Sequence, residues 1–244
     1  MDSYDSATYG DRIAAIYDSR PELPADTDEA VEFLAGLAGA GPVLELGVGT
    51  GRIALPLLER GLEVHGIDAS ERMIERLRAK PGGHRVTVTI GDFAEVAVDG
   101  RFPLVFVVFS TFFGLLDQDA QVRCFQRVAA RLEPGGAFVI EAFVPDPTRF
   151  SRGQRLDTRE VTADTLRLDA SIHDPVAQVV RGQHVFLDER GIRLYPVQIR
   201  YAWPSELDLM ARLAGLTLAE RWSGWQRELF TPAAGRHVSV YRRA

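Results

Sequence analysis

Apolar and polar residues follow one another along the first 150 residues in a pattern that predicts strands and helices in turn. Short runs typical of buried strands lie at residues 43–46, 63–67, 85–90, 103–109 and 137–143. Apolar residues at helical spacing predict helices at residues 9–17, 26–37, 52–60, 70–80 and 119–132. This alternation predicts an α/β fold with a doubly wound, mostly parallel sheet that helices cover on both faces.

The pattern changes after Pro145. Segments 158–172, 178–187 and 192–203 alternate with period two and are separated by turn residues. They predict an antiparallel meander inserted after the fifth strand. A helix follows at 204–214. Two further strands, at 216–222 and 236–242, then complete a seven-stranded main sheet.

Composition and charge narrow the functions that the chain can have. Its 244 residues are 46% hydrophobic and 25% charged, as in ordinary globular proteins, and the net charge of -6 disfavours nucleic acid as a partner. The start of the sequence lacks the basic and apolar regions of a signal peptide. The longest apolar stretch, Pro103–Leu116, is too short to cross a membrane. We therefore expect a cytoplasmic protein without membrane contact.

A glycine-rich turn follows the first predicted strand. In the segment E-L-G-V-G-T-G, Gly47, Gly49 and Gly51 alternate where a strand leads into a helix, so a ligand can approach the backbone closely. Asp68 ends the next predicted strand, where its carboxylate can accept hydrogen bonds from both hydroxyls of a ribose. This combination suits any ligand that contains adenosine.

The residues around the turn favour one adenosine ligand over another. A dinucleotide-binding turn has the pattern G-x-G-x-x-G, but here the third glycine comes one residue early and Arg52 follows it. Glu45 would repel a pyrophosphate, whereas it suits the ammonium and sulfonium of S-adenosylmethionine. A nicotinamide-dependent oxidoreductase stays an alternative, as does a module that binds the cofactor without turnover.

Two further motifs complete a resemblance to a known family. Gly91-Asp92-Phe93 follows the third strand, and E-P-G-G-A-F-V-I leads into the fifth. With the glycine turn and Asp68, these motifs resemble those of the class I S-adenosylmethionine-dependent methyltransferases over residues 43–143. Within that family the chain is similar to bacterial small-molecule enzymes of secondary metabolism, including those that dimethylate the amine of aminosugars.

The resemblance implies roles for individual residues. The expected cofactor-binding residues are Tyr17, Glu45, Gly47, Gly49, Gly51, Asp68, Ala69, Met73, Asp92, Phe93, Phe109 and Ser110. The glycines would border the methionyl part, Asp68 would hold the ribose, and Asp92 would accept from the adenine amino group. The segment Y-G-D-R-I-A-A-I-Y-D, which begins at Tyr9, is similar to the helix that these enzymes fold over the cofactor.

Tyr9, Glu141 and His184 are the candidate catalytic residues. Glu141 ends the fifth strand, where we expect it to face the substrate mouth, and His184 lies in the meander that can reach over the pocket. The sugar enzymes have a histidine in the loop after the fourth strand where this chain has Gly114, which weakens the transfer of both their substrate and a histidine-assisted mechanism to this chain. Methyl transfer from a sulfonium depends mainly on alignment and exclusion of water, and a base is optional for an amine.

We therefore expect methyl transfer from S-adenosylmethionine to an amine, hydroxyl or carbon of a small organic molecule, with S-adenosylhomocysteine as product and no metal. The meander has edges that can pair between two copies, so a homodimer is among the expected partners. The expected single domain, 1–244, divides into a helical lid (1–40), a cofactor-binding core (41–150), an inserted antiparallel region (151–203) and a C-terminal helix with two strands (204–244).

Overall fold

The computed structural model describes residues 4–20 and 25–243. The α-helices of these ranges are α1 (Thr8–Ile13), α2 (Thr27–Ala38), α3 (Ala54–Glu59), α4 (Glu71–Arg78), α5 (Gln118–Arg131) and α6 (Pro204–Leu213). Their strands are β1 (Val43–Leu46), β2 (Val64–Asp68), β3 (Thr87–Ile90), β4 (Phe102–Val107), β5 (Leu132–Phe143), β6 (Gln154–Val161), β7 (Leu166–Asp174), β8 (Val179–Asp188), β9 (Gly191–Arg200), β10 (Leu216–Trp222) and β11 (Arg236–Arg243).

The main sheet has seven strands in the order β10-β11-β5-β4-β1-β2-β3. Strands β1 to β5 run parallel, whereas β11 pairs antiparallel with β5 and β10 antiparallel with β11. The predicted doubly wound, mostly parallel fold is therefore confirmed. The order of strands reverses at β1, which lies between β4 and β2, and in open α/β sheets the crevice beyond such a reversal is where ligands bind.

An aromatic cluster anchors the loop that follows β4. Phe125 of α5 packs edge to face against Phe112 of the 3₁₀ turn Thr111–Gly114 and against Phe138 of β5, with ring centroids 5.4 and 5.2 Å apart. All three rings are buried. Burial of each side chain contributes roughly 1.5–3 kcal/mol, and such ring pairs add about 0.5–1.5 kcal/mol. The loop at the end of β4 is thus held to the core from below.

The second sheet is antiparallel, has four strands in the order β6-β7-β8-β9, and is inserted after β5 as predicted. The prediction of one continuous strand over 158–172 was wrong, because this segment contains the end of β6, a turn and most of β7. Thr162 forms that turn: its hydroxyl oxygen accepts from the N–H of Asp164 and of Thr165, and its own N–H donates to the Thr165 carbonyl. A side chain that bonds to its local backbone competes with strand pairing.

The predicted N-terminal helix over 9–17 is also shorter in the structure. α1 ends at Ile13, and a 3₁₀ turn begins at Tyr17. Ile13 and Ala14 are buried against Met73 of α4, so the chain turns where its apolar face has met the core. Gly10 makes this close packing possible, since a Cβ at this position would lie 2.5 Å from the Cβ of Ser70.

Candidate active site

A cavity of about 260 Å³ lies at the carboxyl ends of β1 to β4, beneath α1. It contains most of the residues predicted to bind a cofactor, together with one predicted catalytic residue. These are Tyr9, Tyr17, Gly47, Gly49, Asp68, Ala69, Met73, Asp92, Phe93, Phe109 and Ser110. The structure therefore brings together residues that are separated by up to about a hundred positions in the sequence.

Asp68 connects the end of β2 to the glycine turn. Its Oδ2 accepts from the N–H of Gly49 at 2.8 Å, and its Oδ1 accepts from the N–H of Ser70 at 2.9 Å. Burial raises the pKa of the carboxyl, and these two hydrogen bonds act in the opposite direction. Each oxygen retains a second lone pair, so the side chain can still accept from two ligand hydroxyls.

The three glycines of the turn have different surroundings. All have positive φ, between 52° and 81°. A Cβ on Gly49 would meet only the Gly47 carbonyl oxygen, at 3.9 Å, so this position is open to the cavity. A Cβ on Gly51 would lie 2.3 Å from Leu77 Cδ1 of α4, and Gly51 does not line the cavity. The structure thus corrects the expectation for Gly51, which permits close packing between the turn and α4.

The loop after β4 has a strained backbone that Glu141 supports. Phe109 and Ser110 have φ values of 58° and 60°, a region that costs a non-glycine residue about 1–3 kcal/mol. Oε2 of Glu141 accepts from the N–H of Phe109 at 2.5 Å, and its carbonyl accepts from the N–H of Ser110 at 3.1 Å. Ser110 in turn accepts through Oγ from the N–H of Phe143.

Glu141 does not face the substrate mouth as the sequence led us to expect. Its side chain is buried and lies outside both cavities of the site. Burial raises the pKa of the carboxyl, while the hydrogen bond from Phe109 and the charge of Arg236 lower it. The structure therefore places Glu141 as a support for the cavity wall, because its position at the end of β5 points it beneath the loop.

Glu45 is buried beneath the glycine turn rather than exposed in the cavity. It accepts a hydrogen bond from the N–H of Ala54 at the start of α3, but its Oε2 has no hydrogen-bond partner among the described residues. Burial and the nearby charge of Asp68 raise the pKa of this carboxyl well above its ordinary value. A buried acceptor without a donor is costly unless a ligand supplies one.

Comparison with known proteins identifies this arrangement. A model of the methyltransferase domain matches residues 43–136. The CcbJ methyltransferase from Streptomyces caelestis is 46% identical, with a TM-score of 0.93 over 99% of this chain and 100% of that one. The chain belongs to the class I S-adenosylmethionine-dependent methyltransferases.

Two other relatives agree with this assignment. The cypemycin N-terminal methyltransferase of a Streptomyces species is 28% identical over 82% of both chains. CalS10, an S-adenosylmethionine-bound amino pentose methyltransferase from Micromonospora echinaspora, shares the fold at 22% identity, with a TM-score of 0.71 over 94% of this chain and 95% of that one. The nicotinamide alternative and the module without turnover are therefore set aside. The protein is an enzyme that transfers the methyl group of S-adenosylmethionine to a small molecule and leaves S-adenosylhomocysteine.

In this methyltransferase a hydrogen bond and an ion pair of Asp18 attach the N-terminal segment to the glycine turn and to Lys80. Asp18, next to Tyr17, accepts from the hydroxyl of Thr50 at 2.6 Å and forms an ion pair with Lys80 at 2.9 Å. Lys80 also donates to the Thr50 carbonyl at 2.8 Å. The 3₁₀ turn that presents Tyr17 to the cavity is thus attached to Thr50 of the glycine turn and to Lys80, which follows α4.

Residues of β9 that the sequence analysis did not identify also border this first cavity, at the carboxyl ends of β1 to β4. Val197, Gln198 and Ile199 lie along it, and the N–H of Gln198 donates to the hydroxyl of Tyr4 at 3.1 Å. No local signal could identify them, because only the docking of the inserted sheet on the core brings β9 over the cavity.

A second cavity of about 330 Å³ adjoins the first, and Val197 and Ile199 border both. It lies between the residues that follow β5 and the inner face of the second sheet, and His184 lines it. His184 does not line the first cavity, but the centroid of its ring is 6.5 Å from that of Tyr9. Thus one predicted catalytic residue lies in each cavity.

Residues 4–20 and 25–243 lack two kinds of feature. Within these ranges no group of three or more His, Cys, Asp or Glu side chains is arranged to hold a metal ion. No helix in the same ranges combines the length and the apolar character needed to cross a membrane.

Proposed function

We propose that this methyltransferase methylates an amine nitrogen of a small, hydroxyl-bearing molecule in the cytoplasm of a bacterium, as a step in antibiotic biosynthesis. The observation on which this depends is the second cavity, which is closed by the charged inner face of the inserted sheet and opens beside the cofactor cavity. Its volume suits a small organic molecule rather than a macromolecule.

The wall of the second cavity suits an amine with hydroxyl groups. Arg155 and Asp157 of β6 form an ion pair on it, and Asp169 of β7 lies beside them. Carboxylates attract a protonated amine, while guanidinium groups and carboxylates both bond to hydroxyls. Phe150 and His173 stack at 4.5 Å on the same wall and offer an apolar face. The name of the cypemycin relative, an N-terminal methyltransferase, agrees with nitrogen as the acceptor.

We assign the cofactor cavity as follows. Asp68 would bind the ribose hydroxyls, Asp92 the adenine amino group, and Gly47 and Gly49 would border the methionyl part. Oε2 of Glu45 is buried and has no hydrogen-bond donor among the described residues. This supports placing the ammonium group of the cofactor's methionyl part next to Glu45, where it would supply the donor. When bound, S-adenosylmethionine supplies a methyl group on a sulfonium. Of the expected lid, 1–40, the described residues 4–20 act as the lid of this cavity, and Tyr9 faces the acceptor side.

The test is a matched panel of acceptors. The protein is incubated with methyl-labelled S-adenosylmethionine and with pairs that differ only in the accepting group, such as D-glucosamine and D-glucose, or a cyclic secondary amine and its oxygen analogue. We expect release of S-adenosylhomocysteine with amines and a labelled product in mass spectrometry. Methylation of the hydroxyl members alone would refute nitrogen as the acceptor.

We also propose that two copies associate through the outer face of the second sheet. The strand registers place Leu156, Ile172, Ile192 and Leu194 on this face, and all four are exposed. An apolar outer face opposite a charged inner face is the reverse of the usual pattern for a sheet over a core. Light scattering after gel filtration should give twice the mass of one chain, and Ile172→Lys should reduce it to one chain. A monomeric wild-type protein would refute this proposal.

A further inference from the structure

His184 and Asp169 form a hydrogen-bonded pair on the inner face of the second sheet. The two residues lie opposite each other in the register of β7 and β8, and His184 Nδ1 is 2.6 Å from Asp169 Oδ1. The other carboxylate oxygen accepts from Arg159 Nε at 2.5 Å. The imidazole and the carboxylate both line the second cavity.

The pairing determines which nitrogen of the imidazole can take up a proton. A carboxylate only accepts hydrogen bonds, so Nδ1 donates and Nε2 keeps its lone pair in the neutral ring. None of the hydrogen bonds among the described residues uses Nε2. Burial tends to raise the pKa of Asp169, but hydrogen bonding and charge from His184, followed by Arg159, lower this pKa to about 2. The carboxylate thus stays charged, and Nδ1 of the ring stays its hydrogen-bond donor.

His184 lines the second cavity close to a residue of the first. The ring of His184 is 6.5 Å from that of Tyr9, which borders the cofactor cavity, and Val197 and Ile199 of β9 border both cavities. A small acceptor that extends from the second cavity towards the cofactor therefore passes His184. The side chain is 18% exposed, so its surface is open to such a molecule.

We propose that His184 takes the proton of the acceptor's ammonium group before methyl transfer and that Asp169 is the positioning residue for its imidazole; this inference rests on the proposed function. The proton moves from the ammonium to Nε2, which leaves a neutral amine and an imidazolium. The amine nitrogen then forms a bond to the methyl carbon as the carbon–sulfur bond breaks, and sulfur keeps the electron pair. The imidazolium returns its proton to solvent.

The charged and titratable groups around the imidazole come from several elements. They are Asp169 of β7, Asp157 and Arg159 of β6, Tyr195 of β9, Tyr9 of α1, and Asp146 and Arg149 across the cavity. Asp169 is the member that bonds directly to His184, so its removal should change the tautomer more than removal of any other.

The first experiment needs no acceptor. Long-range ¹H–¹⁵N spectra of labelled protein, saturated with S-adenosylhomocysteine, report the tautomer of each histidine. We expect neutral His184 with its proton on Nδ1, and a mixture of tautomers in Asp169→Asn. A proton on Nε2 in the neutral wild-type ring would overturn the inference whatever the substrate is.

The second experiment uses an amine that the wild-type enzyme methylates. His184→Gln should lower kcat at least tenfold at pH 7 and leave the affinity for S-adenosylhomocysteine unchanged in calorimetry. This deficit should shrink to less than twofold above the pKa of the acceptor's ammonium, because the amine is then already neutral. His65→Gln is the matched control, since His65 also bonds to a carboxylate, that of Glu63 at 2.8 Å, but lies outside both cavities.

A deficit of the same size at every pH would show a structural role and overturn the inference. Failure of the proposed function has a different signature, namely a wild-type enzyme that methylates none of the amines. In that case the tautomer of His184 still decides whether its Nε2 can accept a proton.

Discussion

The carboxylate of Asp68 and the backbone N–H of Gly49 form a hydrogen bond of 2.8 Å between neighbouring strand ends. Asp68 therefore has two tasks: it orders the glycine turn, and it presents its remaining lone pairs to the cavity. A carboxylate that is already held by the protein loses little freedom when a ligand binds. Under the proposed assignment, we expect this contact to connect the shape of the turn to the affinity for the cofactor.

Replacement of Asp68 by alanine should abolish both tasks. Each charge-assisted hydrogen bond contributes about 1.5–3 kcal/mol, so we expect the Kd of S-adenosylmethionine to rise by a factor of about 100 or more. Gly49→Val should have a similar effect, because its side chain would enter the cavity from a backbone with positive φ. Calorimetry measures both, with exposed Asp99→Ala as the control. Unchanged affinity in both variants would refute the cofactor assignment.

Gly51 should respond differently from Gly49. In Gly51→Ala the new methyl group overlaps Leu77 and the backbone keeps a φ of 81°, so we expect the free energy of unfolding to fall by about 2–4 kcal/mol. Gly49→Ala has open space and only the cost of its backbone, about 1–2 kcal/mol. Urea denaturation of the cofactor-free variants measures the difference. Equal losses of stability would contradict the distinction between the two glycines.

Glu45 should make stability depend on pH. Its pKa is raised in the folded protein above the ordinary value of 4.5, so the folded state binds the proton more tightly than the unfolded state does. The protonated carboxyl therefore contributes to the free energy of unfolding. This contribution is fully present below pH 4.5 and is lost as the pH rises through the pKa that Glu45 has in the folded protein.

Glu45→Gln removes this ionisation. Urea denaturation from pH 5 to 8 should show that the variant gains stability relative to wild type as the pH rises, while its affinity for S-adenosylmethionine falls. A stability difference that is constant over this range would show that Glu45 does not titrate as its burial implies.

Asp18 should govern how fast the cofactor product leaves. Asp18→Asn weakens the contacts to Thr50 and Lys80, and an ion pair of this exposure contributes up to about 1 kcal/mol. We expect release of S-adenosylhomocysteine to quicken by about fivefold in stopped-flow measurements, with little change in thermal stability. Asp119→Asn, at an exposed site on α5, is the control. An unchanged rate would show that the contacts of Asp18 with Thr50 and Lys80 do not limit the release of S-adenosylhomocysteine.

The convergence of residues that line the first cavity was predicted from the sequence because these residues follow strand ends. The carboxyl ends of parallel strands meet at one edge of a sheet, so Gly47, Asp68, Asp92 and Phe109 converge once the strands are identified. The acceptor side was not predictable in this way. His184, Asp169 and Tyr9 come from different parts of the chain, and their proximity depends on how the inserted sheet docks.

By itself the sequence determined the features that depend on neighbours along the chain: the alternation of strands and helices, the glycine turn, Asp68 at a strand end and the inserted antiparallel segment. Only the tertiary structure decided that Gly51 packs against Leu77 while Gly49 faces the cavity, and that Glu141 lies beneath the loop rather than in the cavity. Local conformation follows from steric and hydrogen-bonding preferences over a few residues. The environment of a side chain is set by segments that are distant in sequence and meet only on folding.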